Sequence, residues 1–248
     1  MLQAFSADRP EMTISEVSAA TGLSPAVARR CLLTLVHLGY AARYGRRFVL
    51  RPRVLEFGAA YLESMKLADV AQPYLQELRD RTGDSTSLTT LDEADIIHIS
   101  HVSTQRLMRY FVTSGTRVPA YLSSTGRVLL AQLDEQTLAT YLATSRLESR
   151  TNRTVTSPAT LRAILDQVRR VGYAVVVDEL EYGLSAIGVP VYNGQRVAVA
   201  GVSCILPTAF GTQEEIVATR LPELRRTAEQ IGRQLRYFPT WSHSLSGV

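Results

Sequence analysis

Eight of the chain's arginines fall within its first 53 residues: Arg9, Arg29, Arg30, Arg43, Arg46, Arg47, Arg51 and Arg53. Only Asp8, Glu11 and Glu16 oppose them there, so this segment carries +5, and the other 195 residues together carry −1 of the net +4. Guanidinium concentrated on one short stretch is the footprint of a polyanion partner. The adjacent pairs Arg29–Arg30 and Arg46–Arg47 suit phosphate oxygens and base edges. A second cluster, Ser123-Ser124-Thr125-Gly126, sets hydroxyls and a glycine at what reads as a helix start, where unpaired N–H groups attract a carboxylate. Ordinary capping would explain the same residues. Asp178, Glu179 and Glu181 precede Gly183; two of them could act as general acid and base, or all three could form a solvated acidic turn. His98 and His101 stand three apart on a strand-like stretch and so face opposite sides, which argues against a shared metal. Cys31 and Cys204 lie far apart with no partner at metal-ligand spacing, and read as reduced, buried small hydrophobes. The stretch from Gly183 to Gly188 lacks the spacing of a nucleophile elbow. With no phosphate loop, dinucleotide glycine pattern or metal cluster in the sequence, no catalytic residue and no cofactor is expected. An enzyme with a vestigial DNA-binding motif is the remote alternative.

The elements that would carry the arginines are legible. Thr13 with Glu16 three residues on forms a capping box, followed by Ile14, Val17 and Ala20 on one face of a short helix. Gly22 supplies a left-handed turn, Ser24 caps a second helix over 25–38, and Pro25 sits at its first position, where a missing N–H costs nothing. Val27, Cys31, Leu32, Leu35 and Leu38 make its core stripe, leaving Arg29, Arg30 and Thr34 on other faces. Two short strands, 40–44 and 47–50, then flank Tyr44-Gly45-Arg46-Arg47. A helix-turn-helix followed by a basic hairpin is a winged helix, and Arg46 or Arg47 could enter a minor groove or clamp a phosphate. The helix that should precede this motif has only residues 2–6 available, barely one turn, which suggests a true start upstream of Met1 or an alternative start codon.

The expected organisation is an α+β protein: a winged helix-turn-helix over 1–51, a linker helix over 52–67, and a larger domain over 68–248 with a mostly antiparallel sheet. Within the larger part, helices are expected at 70–82, 125–131, 135–143, 158–171 and 213–237. Strands are expected at 86–91, 96–102, 107–112, 173–177, 187–192 and 197–206, with a hairpin turn at Asn193-Gly194. A hydrophobic content of 46% and a mean hydropathy of +0.01 describe an ordinary globular chain. No apolar run approaches the roughly 18 residues of a membrane span, and the N-terminus lacks the features of a signal peptide, so a cytoplasmic location without membrane partners is expected.

Five stretches together resemble the IclR-type bacterial transcriptional regulators over nearly the whole chain: ISEVSAATGLSPAVARRCLLTLVHLGY (14–40), GRRFVLRPRVLEFG (45–58), GTRVPAYLSSTGRVLLA (115–131), GYAVVVDELEYGLSAIGVPV (172–191) and VAGVSCIL (199–206). RRCLLTLVHLGY and RPRVLEFG are most similar to the branch regulating aromatic-acid catabolism, the protocatechuate and 4-hydroxybenzoate regulators. The resemblance implies a homodimer or dimer of dimers on a pseudo-palindromic operator in double-stranded DNA. It also implies a small organic or aromatic acid effector in the larger domain; a non-aromatic keto acid serving another catabolic pathway is the alternative. It places Ser123, Ser124, Thr125 and Gly126 around that effector, Asp178 or Glu179 at its border, and Ser203 facing it. Near them, Arg106 and Arg109 are candidate counter-ions. Met108, Tyr110 and Tyr121 could wall an aromatic ring, or all five could be surface and core residues. Arg29, Arg30, Arg46 and Arg47 are the expected DNA contacts, with Ser24, Pro25 and Thr34 assisting.

Overall fold

The computed structural model describes residues 1–6, 8–57, 67–104 and 112–235. The chain divides into two compact units, Met1–Ser64 and Met65–Val248. The expected linker helix over 52–67 lies mostly outside the described residues. Its opening is a 3₁₀ turn, Pro52–Val54, followed by helical residues 55–57.

The first unit contains β1 (Glu11–Thr13), α1 (Ile14–Thr21), α2 (Pro25–His37), β2 (Ala41–Tyr44) and β3 (Arg47–Leu50), with the strands in antiparallel order β1-β3-β2. The capping box forms as expected: the Glu16 carboxylate accepts from Thr13 N at 2.6 Å, and Thr13 Oγ1 accepts from Glu16 N at 3.3 Å. Gly22 ends α1 at φ 70°, and Ser24 caps α2 by accepting from Val27 N. At the hairpin tip Gly45 takes φ 61°, the positive angle that a two-residue turn between Tyr44 and Arg47 needs. Ala4, Met12, Val17, Ala28, Leu32 and Phe48 form the core. This corrects two expected stripes. Ala20 is exposed and Leu38 is 47% exposed, while Val27, Cys31 and Leu35 are only half-buried. In so small a unit α2 is covered along a narrow band, and that band centres on Ala28 and Leu32, four residues apart. The short first element is a 3₁₀ turn, Leu2–Ala4, which contributes Ala4 to the core. Strand β1, absent from the sequence reading, adds Met12 opposite Phe48.

The second unit runs α3 (Leu67–Thr82), β4 (Ser85–Asp92), β5 (Asp95–Val102), β6 (Arg117–Pro119), α4 (Ser124–Leu130), α5 (Glu135–Thr144), α6 (Pro158–Val171), β7 (Ala174–Val177), β8 (Leu184–Tyr192), β9 (Ala198–Pro207) and α7 (Gln213–Leu235). Its six strands form one antiparallel sheet in the order β6-β5-β4-β9-β8-β7. The register assigns the faces. Thr86 and Cys204 point to α3, where Thr86 Oγ1 donates to Leu75 O at 2.8 Å. One residue on, Ser87, Ser203 and Gly188 align across β4, β9 and β8 on the opposite face, against α4. The expected strand over 107–112 lies outside the described residues except for Val112, which is not in a strand. Strand β6 was not expected.

Helix α4 is buried on every side, Arg127 included, between the sheet and a core that contains Leu138, Leu161 and Leu165. Three glycines permit this. A Cβ on Gly126 would stand 2.1 Å from Ala120 O, one on Gly201 would stand 2.8 Å from the Thr125 Cβ, and one on Gly188 would stand 3.0 Å from Ser124 Oγ. The glycines are there because backbone approaches backbone.

Candidate functional site

In the first unit Ser24, Pro25, Arg29, Arg30 and Thr34 are all exposed on α2, and Arg46 and Arg47 are exposed at the hairpin tip. The core contact of Ala28 and Leu32 fixes which side of α2 turns outward. The guanidinium groups of Arg29, Arg30 and Arg46 have no partner among the described residues, so each is available to an anion. Arg47 is partly engaged by Glu11 at 3.7 Å, both about half exposed, a pair too solvated to hold it. Thr34 donates back to Arg30 O at 3.0 Å. Arg43, not selected from the sequence, donates to Gly45 O at 2.8 Å and lies over the Phe48 ring, which stiffens the hairpin tip. Arg53 donates to Leu38 O at 2.8 Å and packs over Tyr40, so it serves the fold rather than an external anion.

In the second unit a small cavity of about 40 Å³ lies between α4 and the sheet face bearing Ser203. Its walls include Ile96, His98, Val118, Leu122, Ser123, Ser124, Thr125, Leu180 and Ser203. Ser123, Ser124, Thr125 and Ser203 are thus brought together around one pocket. Ser123 is also the N-cap of α4, its Oγ accepting from Gly126 N at 3.3 Å. Gly126 itself is the packing glycine against Ala120.

Other candidates stand elsewhere. Tyr121 is buried, but its hydroxyl donates to Glu148 O at 2.7 Å, within the hydrophobic core. Glu179 is buried and accepts from Arg127 Nη2 at 2.6 Å and from Val155 N at 3.2 Å; Arg127 Nε in turn donates to Tyr121 O at 2.9 Å. Asp178, at φ 57°, accepts from Gly183 N at 2.7 Å and from Thr208 Oγ1 at 3.0 Å, which closes the loop between β7 and β8. Neither carboxylate is free to act as acid or base. Arg106, Arg109, Met108 and Tyr110 lie outside the described residues.

His98, weighed from the sequence only as a metal ligand, also lines the pocket. A β-bulge at Ile99 pairs Thr89 with His98 and Leu88 with Ser100, and the extra residue shifts the alternation by one. His98 and His101 therefore share a face, with ring centroids 6.4 Å apart, which corrects the expectation that they point apart. His98 is 4% exposed, and among the described residues its Nδ1 has no partner; neither has Oγ1 of Thr89, directly opposite in register. Burial, and secondarily His101, push the His98 pKa down to about 4. Burial also lowers that of His101, whose Nδ1 meets Ser87 Oγ at 2.7 Å. Among the described residues no group of three or more His, Cys, Asp or Glu could hold a metal ion, and no helix is long and apolar enough to cross a membrane.

Residues 1–44 match the IclR helix-turn-helix domain, and residues 59–233 match the family of bacterial transcriptional regulator IclR C-terminal domains. The chain is similar to the Pca regulon regulatory protein of Pseudomonas putida, at 39% identity over 95% of this chain and 81% of that protein. It is 36% identical to the p-hydroxybenzoate hydroxylase transcriptional activator of Acinetobacter baylyi, over 93% of this chain and 87% of that one. A solved structure of a double mutant of the PobR transcription factor inducer-binding domain from Acinetobacter, in complex with 3-hydroxybenzoic acid, superposes with a TM-score of 0.62 at 32% identity. It covers 68% of this chain and 97% of that one.

Proposed function

The chain belongs to the IclR family of bacterial transcriptional regulators, and on that premise we propose that it regulates genes of aromatic-acid catabolism under the control of a hydroxybenzoate-class effector. Helix α2 enters the major groove of operator DNA and reads it with Arg29, Arg30 and Thr34, while Ser24 and Pro25 at its N-terminus approach the backbone. The hairpin tip places Arg46 and Arg47 on the neighbouring phosphates or minor groove. The regulator works in the cytoplasm as a homodimer or dimer of dimers, since two half-sites of a pseudo-palindrome call for two copies of α2.

The effector enters the cavity beside α4. The observation that carries this reading is a half-enclosed pocket lined by Ser123, Ser124, Thr125 and Ser203 in the domain that, in the PobR relative, holds 3-hydroxybenzoic acid. At about 40 Å³ the pocket is too small for a benzene ring, which occupies a cavity of about 150 Å³. On this reading effector binding widens it, and that movement is a means of signalling. Strand β5 can carry the change, because His98 borders the cavity while Ser100, on the opposite face, donates to Gln72 of α3.

A gel shift on the intergenic DNA beside the gene tests the reading, with and without 4-hydroxybenzoate. Operator binding in about 0.15 M salt should respond to the acid, and the double variant Arg29→Ala, Arg46→Ala should lose it. Loss of two phosphate contacts from each protomer of a dimer, four in all, should also flatten the slope of log K against log salt by about 4. Wild-type binding by the double variant would sink the assignment of α2 and the hairpin, and indifference to hydroxybenzoates and keto acids alike would sink the effector.

A further inference from the structure

We propose that His98 makes effector binding proton-coupled: a carboxylic-acid effector enters the cavity together with one proton from solvent, which rests on the His98 imidazole and neutralises the buried anion. This inference rests on the effector reading above and specifies its charge balance.

A carboxylate brought into a dry site needs a countercharge, since an unpaired buried ion is prohibitively costly. The described lining residues contain no arginine or lysine. Among the described residues, the cationic groups on the surrounding elements are already engaged. On α4, Arg127 pairs with Glu179 of the loop before β8. On β6, Arg117 pairs with Asp92 and Asp95 at the far end of β4 and β5. The groups presented by β4, β8 and β9 are Ser87, Thr89, Ala186, Leu184, Ser203 and Ile205, all uncharged. Among the described residues, His101 is the one other titratable group facing His98, and it is turned to Ser87.

Among the described residues, His98 alone can change its charge at the cavity wall. Its Nδ1 and the adjacent Thr89 Oγ1 are buried polar atoms without partners among the described residues, an arrangement expected where a ligand completes the hydrogen bonding. Desolvation keeps the ring neutral while the cavity is empty. An arriving carboxylate reverses this balance by stabilising the imidazolium, so the proton comes with the ligand and is not stored beforehand. The balance is simple: neutral histidine, a carboxylate and one proton give an imidazolium–carboxylate pair. Affinity then falls as pH rises, by about tenfold per pH unit wherever a full proton is taken up.

Isothermal titration calorimetry on the full-length chain decides the matter, with 3- and 4-hydroxybenzoate at about pH 6.5 in buffers of different ionisation heat. The expected result is uptake of close to one proton per effector, a weaker affinity at about pH 7.5, and little or no uptake with the neutral probe 4-hydroxybenzamide. The variant His98→Gln should bind the acids more weakly and without uptake. Tight binding of the acids with no proton uptake would assign the countercharge to an arginine and overturn the proposal, leaving the effector reading intact. Undiminished uptake by His98→Gln would place the proton on the effector's own carboxyl and overturn it as well. Failure of every hydroxybenzoate to bind the wild-type chain would remove the effector reading, and this proposal with it.

Discussion

Arg127 is 2% exposed, and its guanidinium is divided between the Glu179 carboxylate and Tyr121 O. Such a pair is weak evidence of stability when compared with a well-packed apolar substitute for both residues. Removing one member is different, because the other becomes an uncompensated buried charge. Arg127→Met should therefore lower unfolding stability by roughly 3–5 kcal/mol, measured by urea denaturation, whereas the double change Arg127→Met, Glu179→Leu should recover a large part. An additive double variant would show that the two residues do not depend on each other. The sequence marks Glu179 as a polar residue in an acidic run, and nothing local distinguishes it from Glu181. Its partner stands 52 positions away, a pairing that no short-range pattern encodes.

At the scale of elements, α4 illustrates how a helix can be positioned by what its neighbours lack. Isolated-helix propensity would make Gly126→Ala stabilising by about 1 kcal/mol. Here the new Cβ would stand 2.1 Å from Ala120 O, a backbone atom that cannot rotate away. Overpacking of this kind costs about 1–3 kcal/mol or more, so the clash prevails. Gly126→Ala should lower the melting temperature and weaken hydroxybenzoate binding together, as measured by thermal shift with and without the acid. A higher melting temperature would contradict the packing described for α4. The contrast with α2 is instructive. Its caps, Ser24 and Pro25, act within one turn and are read directly from the sequence, whereas the band it buries depends on what α1 and β3 cover, and so shifted from the expected stripe to Ala28 and Leu32.

For the molecule as a whole, control of transcription requires that operator and effector sites be coupled, and equilibrium coupling is reciprocal. If 4-hydroxybenzoate changes operator affinity by some factor, operator DNA must change 4-hydroxybenzoate affinity by the same factor. Fluorescence anisotropy of labelled operator and calorimetry of the acid on the preformed complex measure the two sides independently. Equal effector affinity with and without operator would confine control to kinetics or to other partners.

What the sequence determined by itself was local in origin. The capping box at Thr13, the turn at Gly22, the cap at Ser24, the hairpin at Gly45 and the concentration of arginine each act over a few residues or simply add along the chain. Together they define a winged helix-turn-helix, and the strand and helix periodicities identify the larger α+β part, with α6 expected over the same residues it occupies. The tertiary structure decided what depends on neighbours distant in sequence. The Ile99 bulge puts His98 and His101 on one face; the Arg127 pair takes Glu179 out of any chemistry; and Gly188 and Gly201 let α4 press against the sheet to form the cavity. A one-residue change of register reverses every side chain beyond it, and such a change is set by pairing between strands, which the strand's own residues do not record.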